Sequence, residues 1–255
     1  MSGTPDDTTP TTTEPTLTSP MRHTDWMRAA EHDYALLLDL LAQLDERAWA
    51  RPTDCTGWDV RAMVAHLAGA AQWAARLREM RRQARLGRRL LPDADLVDGM
   101  NELQVHERAG RTREQLLDEL RAAAPRAVAA RRRLPAPLRA LPVPFGPPLG
   151  TKPLGYLYDR ILTRDTWLHR IDICRAVERP AHLTAEHDGR VVADVVEEWA
   201  DLHDQPFDLV LTGPAGGRWR RGEDGASLEL DAVEFCRILS GRAPGTGLLA
   251  TRVNF

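Results

Sequence analysis

The run Arg164-Asp165-Thr166-Trp167-Leu168-His169-Arg170-Ile171-Asp172-Ile173 constrains the fold of this chain more than any other stretch. In a helix, Asp165, His169 and Asp172 stand at i, i+4 and i+7 and share one stripe. Their neighbours Leu157, Ile161, Leu168 and Ile171 are bulky and apolar, so parts of this helix must be buried. A carboxylate and an imidazole one turn apart are costly to bury unless paired or bound to a cation. That cost is the reason to look for a metal.

A chain of 255 residues allows one large domain or two smaller ones with a sound core. A formal net charge of −3 gives no global field that would favour nucleic acid or an anionic membrane. Among the 34 basic residues Lys152 is the single lysine, a bias that fits a high-GC genome better than a nucleic-acid binder. Cys55, Cys174 and Cys236 are odd in number and form no CxxC, as expected in a reducing cytosol. The N-terminus carries no basic segment followed by an apolar one, and the run Ala62 to Ala75 is too short to span a bilayer. The expectation is a soluble cytoplasmic protein.

Residues 1–20, mostly threonine, proline, serine and acids, read as a disordered tail, because they offer too little apolar surface to offset ordering entropy. Thr24 or Asp25 is placed to cap a first helix ending near Leu44. Asp59 caps a second, with Val60, Met63, Val64, Leu67 and Ala71 inward, His66 beside that face and an arginine-crowded end. A third helical region starts near Ala94, pauses at Gly110 and restarts at Thr112, whose spacing to Gln115 is a capping box. The proline-rich stretch Leu134 to Pro153 argues against regular structure and reads as a linker or an active-site cover. A fourth helix spans Leu154 to Glu178, stopped by Pro180. Beyond it come a helix from Thr184 to Asp201, strands over Phe207–Thr212, Arg218–Arg221 and Ala226–Leu230, and a helix capped by Asp231 and closed by Gly241. The fold class is α+β: a four-helix bundle over residues 21–180, then a small α/β domain over 181–255.

Three runs carry a family resemblance. Gly57-Trp58-Asp59-Val60-Arg61, with Val64, His66, Leu67 and Gly69, resembles the second helix of the DinB-like, mycothiol-dependent maleylpyruvate isomerase family. Arg164-Asp165, with Trp167, His169, Asp172 and Ile173, resembles its fourth helix. Glu234-Phe235-Cys236-Arg237, with Leu239, Gly241, Arg242 and Gly247-Leu248-Leu249, is similar to the end of its small second domain. The resemblance implies an antiparallel bundle holding a divalent metal, usually zinc, through a His–carboxylate–His triad. Carried over by motif, the ligands are His66, Asp165 and His169, with aspartate where the isomerase has glutamate. It also implies mycothiol, a cysteine-bearing thiol of actinobacteria, as cosubstrate with its sulfur at the metal. A metal-bound thiolate adds to an electrophilic small molecule, giving isomerisation or S-transfer, and the residues choose neither.

Other residues carry weaker readings. Asp172 orients a metal ligand or pairs with Arg164, and Arg242 binds an anionic group or satisfies helix-end carbonyls; both are candidates for catalytic roles. Arg242 and His106 are the candidates to bind the thiol, although Glu102, Asn101, Gln104 and Arg108 give the helix around His106 a solvated character. Trp58 and Trp73 read as core, and the cysteines as buried fillers without a catalytic context. The rival to an enzyme is a non-catalytic metal-binding bundle that senses or regulates. The partners expected are a small electrophile and a thiol, not nucleic acid or membrane, for a monomer or weak homodimer.

Overall fold

A computed structural model describes residues 20–146 and 149–255. The expected disordered tail, Pro20 apart, lies outside the described residues. Helix α1 (His23–Ala42) starts two or three positions earlier than its polar residues suggested. Arg22 is the N-cap, and Asp25 acts from the first turn by accepting the Arg22 backbone N–H at 3.0 Å. After the single turn α2 (Glu46–Trp49), Asp59 caps α3 (Val60–Ala75) by accepting from Ala62 N at 2.8 Å.

The expected second helix is two helices. Arg76 is extended (φ −148°, ψ 119°) and separates α3 from α4 (Leu77–Leu90). The break has a chemical reason: α3 is apolar almost throughout and stays buried, whereas the arginines of α4 must reach water. Helix α4 pairs with α5 (Leu96–His106), and the two backbones meet at Gly87 and Gly99. A Cβ on Gly87 would lie 2.6 Å from the Gly99 backbone, so no larger residue fits that crossing. Helix α6 (Arg113–Arg132) starts at the Thr112–Gln115 capping box, as its sequence indicated.

The proline-rich stretch is regular after all. It forms the turn α7 (Ala136–Arg139) and an antiparallel hairpin, β1 (Pro142–Gly146) with β2 (Gly150–Pro153). In an isolated two-stranded ribbon each strand has a free edge, where proline's missing N–H costs no ladder bond. Phe145 meets Tyr156 edge-on at 5.2 Å, anchoring the hairpin to the next helix.

The expected fourth helix also divides, into a π-helical turn over Tyr156–Ile161 and α8 (Leu162–Ala176). The π turn is supported by Arg131, a fully buried guanidinium whose Nε donates to Tyr158 O at 2.6 Å. Its Nη2 donates to Asp159 O and to Thr163 Oγ1. Thr163 Oγ1 also donates to Asp159 O at 2.7 Å, so guanidinium and hydroxyl together hold the turn's carbonyls. Helices α1, α3, α6 and α8 pack as a ring, α1 touching α6 and α8 and α3 touching the same two, with α5 alongside α3.

Helix α9 (Asp188–His203) begins four residues later than expected, because the Asp188 carboxylate folds back to accept from Thr184 N at 2.7 Å. Then come β3 (Phe207–Thr212), β4 (Gly217–Arg221), β5 (Ala226–Asp231) and α10 (Ala232–Leu239), capped by Asp231 as its sequence indicated. The sheet order is β4-β3-β5, antiparallel on one side of β3 and parallel on the other. Two apolar cores result. One lies inside the bundle; the other joins Trp26 and Met27 of α1 and Trp167, Leu168 and Ile171 of α8 to α9, β3 and α10. Among the described residues, no helix is long and apolar enough to cross a membrane.

Candidate metal centre

His66 lies in the second turn of α3 and is buried; Asp165 and His169 lie one turn apart on α8, facing it. Side-chain donor atoms of the three lie within 4.8 Å of one another. His66 Nε2 is 3.5 Å and His169 Nε2 3.2 Å from the same atom, Asp165 Oδ1. The two imidazoles meet edge-on, with centroids 5.1 Å apart. Trp58 tilts against both rings, at 5.0 Å from His66 and 6.2 Å from His169.

The outer nitrogens are held as well. His66 Nδ1 is 2.8 Å from Gln104 Oε1, and His169 Nδ1 is 3.1 Å from Asp172 Oδ2. Each partner accepts, so each Nδ1 carries the proton and the neutral ring presents a bare Nε2 lone pair inward. Two bare lone pairs aimed at a carboxylate repel unless a cation stands between them. That donor set, two imidazole nitrogens and one carboxylate oxygen, suits a divalent metal of the zinc type and leaves coordination positions open. Without metal a proton fills the same need. Burial disfavours charge at His169, yet the Asp165 carboxylate outweighs it and raises the imidazole pKa well above 6.5. Burial likewise opposes charge at Asp165, but His169 and His66 hold its carboxyl well below the usual carboxylate range.

Asp172 continues the site outward. Burial raises its pKa, and His169 and Arg242 more than reverse that, so it is held low and ionised. Its partner is Arg242 from the segment after α10, whose Nε lies 2.9 Å from both carboxylate oxygens and whose Nη2 lies 2.8 Å from Oδ2. Asp172 thus contacts His169 and Arg242, and the expected alternative of pairing with Arg164 is not found. Arg164 instead binds Asp194 and Glu198 of α9, at 2.5 and 2.7 Å. Nor does Arg242 satisfy helix-end carbonyls, because its guanidinium is committed to Asp172.

Two readings of the polar neighbours need correction. Gln104 and Arg108 do not face solvent: they are 2% and 3% exposed, and Gln104 is the residue that α5 sends to the site. His106, two positions on, is exposed and does not join the cluster, and Glu102 is exposed as well. Cys55 is not a filler either. It is half-buried, with Sγ 3.6 Å from Arg242 Nη2, 3.8 Å from Asp172 Oδ2 and 4.0 Å from His169 Nδ1. Its loop is pinned by Asp54, which binds Arg175 of α8 at 2.8 Å and Arg237 of α10 at 3.1 Å. Sequence carried no signal for Cys55 or Gln104, since their partners are far along the chain. Trp73 is core, as expected, and Trp58 is half-buried against the two imidazoles.

The fold is a four-helix bundle packed against a small α/β layer, with a His–Asp–His cluster between α3 and α8 that could hold a metal ion. The chain belongs to the family described as "Mycothiol maleylpyruvate isomerase N-terminal domain", whose model matches residues 30–174. That span holds His66, Asp165, His169 and Asp172, and Arg242 lies beyond it. Two crystal structures are similar in fold, of the mycothiol-dependent maleylpyruvate isomerase and of a histidine-to-alanine mutant of it. Their TM-scores are 0.58 and 0.57, each at 13% identity and covering 89% of this chain and 93% of theirs. A search of curated proteins finds no match.

Proposed function

We propose that this chain is a metal- and mycothiol-dependent enzyme of the maleylpyruvate isomerase type, with His66, Asp165 and His169 as the metal ligands. The observation that carries the reading is the convergence of two Nε2 atoms on Asp165 Oδ1 while both Nδ1 atoms are tied to acceptors. Any buried imidazole needs an acceptor for its N–H; what favours a metal is that both remaining Nε2 atoms converge on one carboxylate oxygen. Family membership and the fold shared over most of both chains support the choice of thiol and of reaction class.

A divalent metal bound here would supply a Lewis acid that lowers the pKa of an incoming thiol. The chain's own residues do the rest. Asp165 sets the charge of the cluster, and Asp172 with Arg242 holds the His169 ring in place from the C-terminal side. Trp58 walls the imidazoles off from bulk water. The thiolate of mycothiol then adds to an activated carbon–carbon double bond. Rotation about the resulting single bond and departure of the thiolate give the opposite geometric isomer, with no net consumption of thiol. No cysteine of the chain needs to act as nucleophile.

The test is direct. Protein purified without a histidine tag and loaded with cobalt should show a sulfur-to-metal charge-transfer band when mycothiol is added. It should also convert maleylpyruvate only in the presence of that thiol. An unchanged cobalt spectrum at saturating thiol would end the enzyme reading and leave the metal-binding regulator as the better account.

A further inference from the structure

Behind His66 runs a chain of buried amides. Gln104 Oε1 faces His66 Nδ1 at 2.8 Å, and Gln104 Nε2 donates to Gln83 Oε1 at 2.8 Å. Gln83 Nε2 in turn donates to Gly69 O at 3.1 Å and to Glu79 Oε1 at 3.0 Å. Gln83 and Gln104 are 0% and 2% exposed. Two glutamines in a bundle interior are costly unless every polar atom is satisfied. Here the four side-chain atoms of the two amides each meet a partner.

The direction of this chain follows from its far end. A backbone carbonyl only accepts. So does the Glu79 carboxylate, kept ionised chiefly by hydrogen bonds from Arg82 against the cost of burial. Gln83 must therefore turn its NH₂ toward Gly69 and Glu79 and its oxygen toward Gln104. Gln104 must then turn its NH₂ toward Gln83 and its oxygen toward His66. The only tautomer of neutral His66 that fits has the proton on Nδ1 and a bare Nε2 facing Asp165. Gly69 contributes twice: it offers the terminal carbonyl and lets Gln104 approach α3. A Cβ at position 69 would lie 2.5 Å from Gln104 Cγ and 2.8 Å from its Cβ.

We infer that Gln83 and Gln104, oriented by the Gly69 carbonyl and Glu79, are positioning residues that fix the Nδ1–H tautomer of His66. The relay readies Nε2 for a cation, and to that extent it rests on the metal reading proposed above. The group that touches His66 is an uncharged amide, whereas the group that touches His169 is the Asp172 carboxylate, so Gln104 orients His66 without placing a charge against it.

Two-bond ¹H–¹⁵N correlation spectra of the metal-free protein, recorded over a pH series, read the tautomer of His66 directly. Wild type should show Nδ1–H. In Gln83→Met, Gln104 is free to turn over, and the spectrum should move to a mixture with Nε2–H while the fold stays intact by circular dichroism. Gln104→Leu should show the same loss and weaken zinc, read by chelator competition, by roughly 10–100-fold. Gln83→Met should weaken zinc in the same direction by less. An Nε2–H tautomer in wild type overturns the relay whatever the variants do. A wild-type tautomer and affinity in folded Gln83→Met would also overturn it, because the orientation would then stop at Gln104. An Nδ1–H tautomer that collapses in Gln83→Met, in a protein that binds no zinc, would sustain the relay and remove the metal reading alone.

Discussion

His66 and His169 present the same nitrogen inward but are backed by different chemistry, a neutral amide on one side and a carboxylate–guanidinium pair on the other. A carboxylate behind an imidazole raises its donor strength more than an amide does, so in the proposed metal site His169 would be the stronger ligand of the two. His66→Ala and Asp165→Ala should each abolish stoichiometric zinc, measured by elemental analysis. Asp172→Asn, which keeps the shape but loses the charge, should weaken zinc by about 10–100-fold. Gly69→Ala should weaken it too, because the added methyl drives Gln104 away from His66. The pKa shifts set a pH dependence for the metal-free protein. His169 is raised, so its contribution to stability is complete below 6.5 and is lost as pH rises through its folded-state value. Asp165 and Asp172 are lowered, so theirs is present above 3.8 and is lost as pH falls through their folded-state values. Zinc bound as proposed would displace the proton from His169, so the rise in melting temperature on adding zinc should grow between pH 6 and pH 8. A rise that shrinks over that range would contradict this assignment.

At the scale of elements, the caps behaved as short-range chemistry should. Asp59, Thr112 and Asp231 each accept from the first turn of the helix they precede. Asp231→Ala removes bonds to Val233 N and Glu234 N and should cost about 1 kcal/mol, a fall of roughly 2–4 °C in melting temperature. Zinc content should be unchanged, since α10 stays in place under its buried Phe235 and Leu239. The breaks were less legible. Nothing local marks Arg76 as extended; α3 and α4 separate because one must be buried and the other must be wet. The π turn at Tyr156–Ile161 is likewise stabilised from outside, by a guanidinium belonging to α6. Arg131→Met should therefore leave Tyr158 O and Asp159 O without that donor and destabilise the protein by about 1–3 kcal/mol in denaturant titration.

Over the whole molecule, the bundle and the α/β layer are bound by a shared core and a buried charge network. Arg164 of α8 is 0% exposed, and its counter-charges Asp194 and Glu198 come from α9. Cutting the chain after residue 180 would strand that guanidinium and bare Trp26, Trp167 and Ile171, which pack against α9 and β3. It would also remove Arg242 from Asp172. The fragment 1–180 should accordingly bind a hydrophobic dye, lack a cooperative thermal transition and hold zinc poorly. A fragment that melts cooperatively and retains stoichiometric zinc would show the bundle to be self-sufficient.

The sequence by itself determined what depends on near neighbours. Periodicity put Asp165 and His169 on one stripe of α8 and His66 beside the apolar face of α3, and composition marked Phe207–Thr212 as a strand. Those patterns work because a helix or strand repeats over a few residues, so facing groups lie close in the chain. Tertiary structure alone decided what joins distant segments. His66 meets Gln104 across 38 positions, Asp172 meets Arg242 across 70, and Cys55 meets Asp172 across 117. A buried glutamine and a solvated one have the same chemistry in isolation. Only the partner supplied by another element makes burial affordable, and no local pattern records which partner that is.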